Sequence, residues 1–275
     1  MDRKTLARAA LFKAETIRRK FGILPTEVCS PFDIANMLGI DVYFLNATSL
    51  EGMYCSSLAT ICIGSLRPSG RQAFTCAHEL GHHVFGHGAR WDPISDKQYT
   101  DSEEFLADMF ASYLLIPKIA FIHTLNDRNI KIGSISAEEL YKISNYFGVG
   151  YASIVNHLAY NLKIISNEQT KQLLRVQPKH IKAKYSIASA STLYFADSYF
   201  YRPIDIEVDD MLLVPDSYEV ETNTQLSFEG SVDLYHMYKA IASGYGRVIF
   251  GDWAAHIRVS RKNYEGLIDY RFMEE

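Results

Sequence analysis

The sequence contains no long apolar run and no secretion signal. A membrane-spanning helix needs about 18 or more consecutive apolar residues, and the nearest candidate, 113–122, is interrupted by Pro117 and Lys118. The N-terminal segment does not have the continuous apolar stretch of a signal peptide, because Lys13 and Glu15 interrupt it. We therefore expect a cytoplasmic protein that does not associate with membranes.

Cysteine is scarce, and no two cysteines have the spacing of a metal-binding pair. The chain has 4 cysteines and no C-x-x-C motif. A secreted domain held together by disulfides would be denser in cysteine, so we expect reduced thiols. The four are Cys29, Cys55, Cys62 and Cys76.

A net positive charge is also absent. The 28 lysines and arginines are outnumbered by 32 acidic residues, for a net charge of −4, which excludes the general basic character of a non-specific nucleic-acid binder. With 275 residues, 48% of them apolar, the chain is long enough for one large globular domain or two. Apolar residues at helical spacing predict an N-terminal amphipathic helix whose basic face is solvated: Leu6, Ala10, Ala14, Ile17 and Phe21.

Short strands and helices are predicted between residues 30 and 117. A helix capped by Ser30 precedes a strand at 41–45, and two β-prone runs at 52–55 and 59–64 predict a hairpin. A helix follows at about 71–85 and ends at glycines. Another, capped by Asp101 or Ser102, ends or kinks at Pro117.

An H-E-x-x-H motif lies on the predicted helix 71–85. His78 and His82 are four residues apart, so both imidazoles project from one helical face and can converge on one metal ion. Composition alone gives roughly 0.02 such motifs in a chain of this length, so coincidence is a poor explanation. Glu79 follows the first histidine, where a carboxylate can take the proton of an attacking water. Two imidazoles and a carboxylate, with one position left open, are typical of catalytic zinc sites.

The third ligand is predicted on the next helix. Glu104 is preferred because Asp108 lies one turn further along and can orient a ligating imidazole, either His78 or His82. Glu103 points about 100° away and remains the alternative.

A second electrophile for the oxyanion is not identified by the sequence. The candidates are unranked, and an ordinary structural role is open to each of them. His87 lies past the glycine stop of the motif helix, so we do not expect it to reach the same ion. The candidates are Tyr54, His87, Tyr99 and His123.

Two segments, 71–87 and 104–117, resemble the ImmA/IrrE family of zinc metallopeptidases, and the resemblance covers roughly residues 30–165. What it implies for the site agrees with the spacing: a catalytic base at Glu79 and zinc ligands at His78, His82 and Glu104. Members of this family typically cleave a helix-turn-helix repressor and so derepress stress-response or mobile-element genes. The resemblance therefore implies a Zn²⁺-dependent endopeptidase with a protein substrate of that kind.

The region after residue 130 is predicted to contain a helical pair. Ser136 and Glu139 form a capping-box pattern, and a glycine turn at 148–150 leads into a second helix, as in a helix-turn-helix. The segment 151–162 has no lysine or arginine, which argues against direct DNA binding.

Residues from about 176 onward are predicted to form an α+β unit. Period-two alternation predicts a strand at 218–228, further strands are predicted at 247–250, 256–259 and 267–272, and 233–242 is predicted to be helical. The aromatic residues between 194 and 201 are interpreted as core.

The predicted fold class is α+β, with three parts. Residues 1–130 form a mainly helical, zincin-like metallopeptidase domain with a small sheet, 131–175 the helix-turn-helix-like unit, and 176–275 a C-terminal domain that senses a ligand or binds a partner. The alternative to an enzyme is a non-catalytic regulator that binds a transcription factor or toxin partner. The sequence leaves the oligomeric state open.

Overall fold

A computed structural model describes residues 2–87, 100–188, 191–222 and 224–273 of the protein. The first part contains helices α1 (Arg3–Lys20), α2 (Pro31–Met37), α3 (Ser69–Phe85), α4 (Asp101–Leu115) and α5 (Lys118–Asp127). The predicted helices are confirmed within two residues. The cap of α4 was predicted one or two residues late, since Thr100 and Glu103 form its capping box.

The first sheet joins strands from distant parts of the chain. Its strands are β1 (Asp41–Leu45), β2 (Gly52–Cys55), β3 (Thr60–Gly64) and β12 (Gly266–Leu267), in the order β12-β1-β3-β2. The predicted hairpin is confirmed as the antiparallel pair β2–β3, while β1 lies parallel to β3. Strand β2 is therefore at the sheet edge, beside α3.

The apolar core of this part lies between the sheet and the helices. Helix α3 packs on β2, β3 and α4, and α1 covers the other side of α4. Fully buried side chains of the sheet meet those of α3 and α4: Phe44, Ile61, Ile63, Leu80, Phe110 and Leu114. Burial of these residues supplies most of the local driving force.

Helix α1 differs from its prediction at one basic residue. Arg18 is only 3% exposed, and its guanidinium donates hydrogen bonds to the carbonyl oxygens of Leu24 and Leu114. A solvated basic face was therefore the wrong interpretation for this residue. Arg18 instead satisfies carbonyl groups where α1 meets the following loop and α4.

The helical pair is confirmed, as α6 (Ala137–Phe147) and α7 (Tyr151–Asn156). The capping box of Ser136 and Glu139 is formed, and Gly148 takes a left-handed conformation, φ 65°, which ends α6. Helices α8 (Asn167–Arg175) and α9 (Pro178–Lys184) follow.

Residues 193–260 form two four-stranded sheets. One has the order β4-β6-β9-β8 and the other β5-β11-β10-β7. Their bounds are β4 (Leu193–Phe195), β5 (Ile204–Glu207), β6 (Met211–Pro215), β7 (Glu219–Thr222), β8 (Leu226–Val232), β9 (Tyr235–Ala240), β10 (Gly244–Phe250) and β11 (Trp253–Ser260).

Three predictions in this region were wrong in detail. The segment predicted to be helical at 233–242 is strand β9, which is hydrogen-bonded on both sides and follows a two-residue turn in which Asp233 has φ 50°. The predicted strand 218–228 is divided between β7 and β8, which belong to different sheets. Of the predicted strand 267–272, only Leu267 is extended, as part of β12. For β9, pairing with β6 and β8 overrode the local helical pattern.

One stretch, Asp101–Asp127, is long and apolar enough to cross a membrane by length and composition. Of its most apolar window, 61% is buried inside the fold, and Pro117 separates α4 from α5 within it. The aromatic cluster is only partly core, since Phe195 and Phe200 are buried whereas Tyr201 is 73% exposed.

Candidate metal centre

Helix α3 presents the motif residues on the side facing α4. His78 is partly buried, His82 is fully buried, and Glu79 is 6% exposed. The helix ends at Gly86, whose left-handed conformation, φ 66°, turns the chain back. The N–H groups of Gly86 and His87 then donate to the carbonyl oxygens of His83 and His82, a Schellman ending.

Helix α4 approaches α3 closely at a glycine. A Cβ on Gly81 would lie 2.8 Å from the Cα of Ala107, so no other residue fits there without moving one helix. This approach brings Glu104 over the motif. Glu103 caps α4 and acts on His82 through its charge, whereas Glu104 belongs to the group formed with the two histidines.

Three side chains converge on one point. The Nε2 atoms of His78 and His82 are 3.1 Å apart, and the Glu104 carboxylate oxygens lie 3.4 Å from the first and 3.6 Å from the second. Ligands on a tetrahedral ion with bonds of about 2.0–2.1 Å are separated by about 3.3 Å. The separations therefore suit a metal ion of this kind, and the group could hold one.

The other nitrogen of each imidazole is also engaged. Nδ1 of His78 lies 2.8 Å from Oδ1 of Asp108, and Nδ1 of His82 lies 2.9 Å from Nδ1 of His87. Asp108 can only accept, so it fixes a proton on Nδ1 of His78 and leaves a lone pair on Nε2. If Nδ1 of His82 donates to His87, Nε2 of His82 also carries a lone pair. This atom lies 3.1 Å from Nε2 of His78. Lone pairs directed at each other repel unless a cation lies between them.

His87 is a residue whose role the sequence did not reveal. It is outside the group of His78, His82 and Glu104, but it contacts the buried His82. The sequence did contain a signal for this contact, namely Gly86. A glycine at a helix end favours a Schellman ending, which folds the following residue back over the last helical turn.

The charges of the site are shifted by burial. Burial lowers the pKa of His82 to about 3, so the ring is neutral, the form that binds metal. Burial acts to lower the pKa of His78 as well, but the hydrogen bond to Asp108 and the nearby carboxylates outweigh it, and the net shift is upward.

Glu79 lies between α3 and the edge strand β2. Burial raises the pKa of its carboxyl group to about 7, with the charge of His78 acting in the opposite direction and that of Glu104 in the same direction. A Cβ on Gly52 would clash with Thr75 and lie 2.9 Å from Oε1 of Glu79, so the glycine lets β2 lie against this carboxylate.

A cleft of about 960 Å³ leads away from the group. Its walls include β2, the start of α3, the turn between α6 and α7, and Tyr194. Of the proposed electrophiles, Tyr54 lines this cleft and its hydroxyl lies 2.7 Å from Nδ1 of His83. His123 pairs with Asp127 on α5, and Tyr99 lies outside the described residues.

Comparison with known proteins assigns part of the chain. No curated protein matches it. Among solved structures it is similar to a Mycobacterium tuberculosis transcriptional regulator, with 16% sequence identity and a TM-score of 0.38; the match covers 55% of this chain and only 46% of that one. Residues 35–159 match the peptidase family M78, described as an IrrE N-terminal-like domain. This segment is thus similar to the IrrE N-terminal-like domain of that peptidase family, and it is 125 of the 275 residues.

Proposed function

We propose that the protein is a zinc-dependent endopeptidase that cleaves a helix-turn-helix transcriptional repressor. The observation that supports this most directly is the convergence of His78, His82 and Glu104, with the buried carboxylate of Glu79 beside them. A structural zinc site is closed by four ligands and has no use for a general base. The described residues supply three ligands and a base.

The donor set suits zinc. His78, His82 and Glu104 would hold the ion, while Asp108 and His87 orient the two imidazoles. A bound Zn²⁺ supplies Lewis acidity, which polarises a scissile carbonyl and makes water more acidic.

The residues of this chain do the remaining work. Glu79 accepts a proton from the attacking water and returns it to the leaving nitrogen. Strand β2 lies at the sheet edge and lines the cleft, so an extended substrate segment can pair with it through backbone hydrogen bonds. The walls of the cleft then exclude water from part of that segment.

The nature of the substrate rests on the family and not on the geometry. A helix-turn-helix repressor is the substrate class that the family resemblance implies, with derepression of stress-response or mobile-element genes in the cytoplasm as the result. We propose also that residues 1–130, 131–175 and 176–275 are the functional divisions, the last of them sensory or partner-binding.

The test is proteolysis of candidate repressors by the full chain. Purified protein is incubated with each repressor encoded near its gene, with zinc or with a chelator, and fragments are mapped by mass spectrometry. The Glu79→Gln variant keeps the size of the side chain but not the base. Glu15→Gln, an exposed residue on α1, is the matched control.

Specific fragments that require zinc, persist in Glu15→Gln and vanish in Glu79→Gln support the proposal. Tight binding of a repressor without fragments under any metal contradicts it and favours the non-catalytic regulator. A specific shift of DNA by the protein alone contradicts it in favour of direct DNA binding.

A further inference from the structure

A second cavity, of about 230 Å³, lies between the metallopeptidase part and the C-terminal strands. It is lined by α2, the first turn of α3, the end of α6, strands β5 and β11, and residues 268–272. Three arginines line it, Arg202, Arg258 and Arg271. The proposed peptidase chemistry makes no use of this cavity.

Arg271 is the unusual member. Its side chain is 7% exposed, and its Nε is a buried donor without a hydrogen-bond partner among the described residues. Its guanidinium lies over the ring of Phe44, 4.7 Å from the centroid, and near Phe272. Burial lowers the pKa of Arg271, yet arginine remains protonated in proteins. A permanent cation is therefore held inside the fold.

The acidic groups nearby are engaged elsewhere. Asp205 accepts two hydrogen bonds from Arg258, at 2.6 and 2.8 Å, and the carboxylate of Glu207 accepts one from the N–H of Asn263. Both carboxylates attract Arg271 through space, but no ion pair joins either of them to it in the part of the chain that the structure describes.

The other two arginines of the cavity differ from Arg271. Arg258 forms the two-pronged pair with Asp205, and Nε of Arg202 donates to the carbonyl oxygen of Tyr146 at 3.0 Å. Burying a charge without a hydrogen-bonded partner is costly, so an arrangement of this kind persists where a ligand completes it. A ligand that pairs with the positive charge of Arg271 would be an anion.

The acidic residues that line the cavity restrict what that anion can be. Asp33 and Asp269 line the cavity and are exposed, so they would repel a second anionic group and accept hydrogen bonds from hydroxyl or ammonium groups. The volume is below the roughly 300–1,000 Å³ of pockets for drug-sized ligands. A nucleotide or a peptide is too large.

We propose that this cavity binds a small molecule with a single carboxylate or phosphate group, held by Arg271, and with hydrogen-bond donors as well. Hydroxy acids, amino acids and sugar monophosphates share this chemistry. The cavity and the cleft have Ser69 and Tyr194 in common, and the Tyr194 hydroxyl lies 2.6 Å from Oγ of Ser69. A bound ligand therefore contacts the first turn of the motif helix.

The experiment measures anion binding to the full-length protein after chelation, which removes any metal from the cleft. Inorganic phosphate, acetate and its neutral isostere acetamide are titrated by calorimetry and by thermal shift. The twenty amino acids, a set of hydroxy acids and a set of sugar monophosphates follow. Arg271→Gln removes the cation, and Arg71→Gln is the matched control, because Arg71 is an exposed arginine that lines the other cleft.

We expect saturable binding by an anion and none by acetamide. Arg271→Gln should weaken that binding about tenfold or more, and Arg71→Gln should leave it within about twofold of the parent. Asp33→Asn, at an exposed residue of the lining, should tighten it by about two- to fivefold because one repulsive charge is removed. The Asp33 variant keeps the proposal testable if Arg271→Gln does not fold.

Four results would overturn the proposal: no saturable binding by any probe, equal binding of acetate and acetamide, unchanged affinity in a folded Arg271→Gln protein, or loss of binding in Arg71→Gln. The last would place the anion in the cleft of the metal centre.

Discussion

The candidate metal centre and the second cavity attract ions of opposite charge. In the first, two imidazole lone pairs and a carboxylate converge with separations of 3.1 to 3.6 Å, so the site attracts a cation. In the second, the guanidinium of Arg271 is buried without an ion-pair partner among the described residues, so the site attracts an anion. The comparison teaches that polar groups left incomplete inside a well-packed fold identify the sign of a missing ligand.

The largest effect should come from removing a member of the converging group. We expect Glu104→Ala to lower the zinc content from about one ion per chain to a small fraction of that, because only two ligands remain. Elemental analysis of purified protein measures this. Glu103→Ala is the control: it should keep the ion and lose about 1 kcal/mol of stability, since Glu103 belongs to the capping box of α4. Loss of zinc in the control alone would contradict the assignment.

A histidine with both nitrogens engaged sharpens the comparison. Nε2 of His157 donates to the carbonyl oxygen of Ile116 at 2.9 Å, and its Nδ1 accepts from Asn161 at 3.0 Å, so no lone pair is left for a metal. Burial lowers the pKa of His157 to about 4, from about 6.5 in the unfolded chain. The unfolded state therefore binds the proton more readily between these values.

The stability that neutral His157 contributes is thus present above about pH 6.5 and is lost as the pH falls to about 4, by roughly 3 kcal/mol. Urea unfolding of the chelated protein at a series of pH values measures it. In His157→Gln this part of the pH dependence of the free energy of unfolding should disappear. The variant therefore separates the contribution of His157 from those of other titrating groups. Parallel pH profiles of the two proteins would show that the prediction is wrong.

Asp108 provides the next effect. Asp108→Asn can donate where the carboxylate accepted, so it removes the fixed tautomer of His78 and should weaken zinc binding by about 10- to 100-fold. Competition with a chromophoric chelator measures the affinity. Asp127→Asn, which changes a histidine–aspartate pair on α5, should leave the affinity unchanged. Equal affinity in all three proteins would mean that Asp108 does not position the ligand.

The smallest effect concerns the wall between the two sites. Tyr194→Phe removes the hydroxyl that contacts Ser69 and should lower the free energy of unfolding by about 0.5–1.5 kcal/mol. Urea denaturation measures this, with the solvent-facing Tyr201→Phe as control. An unchanged midpoint would indicate that the contact contributes nothing to joining the two parts.

The sequence predicted the grouping of His78, His82 and Glu104 better than the surroundings of these residues. The spacing of His78 and His82 on one helix is a local property, and Glu104 was recognised because Asp108 follows it at helical spacing. The position of His87 depends on the turn at Gly86, and a stop signal alone does not say where the next side chain points.

The second cavity could not be predicted, because no local pattern encodes it. Arg271 meets Phe44 and the strands around Arg258 only after distant segments pair. For the same reason β9 was misassigned as a helix: its two neighbours in the sheet, β6 and β8, outweigh its own propensity. Reading such contacts from one sequence would require knowledge of the strand order.

The antiparallel pairing of β12 with β1, in which Leu267 lies opposite Tyr43, imposes an order of assembly. The residues of the candidate metal centre, up to Asp108, are synthesised well before β12 and the residues around Arg271. The loop between β1 and β12 is long, and the entropy lost on closing it slows this pairing. The group of His78, His82 and Glu104 can therefore form before the cavity around Arg271 does.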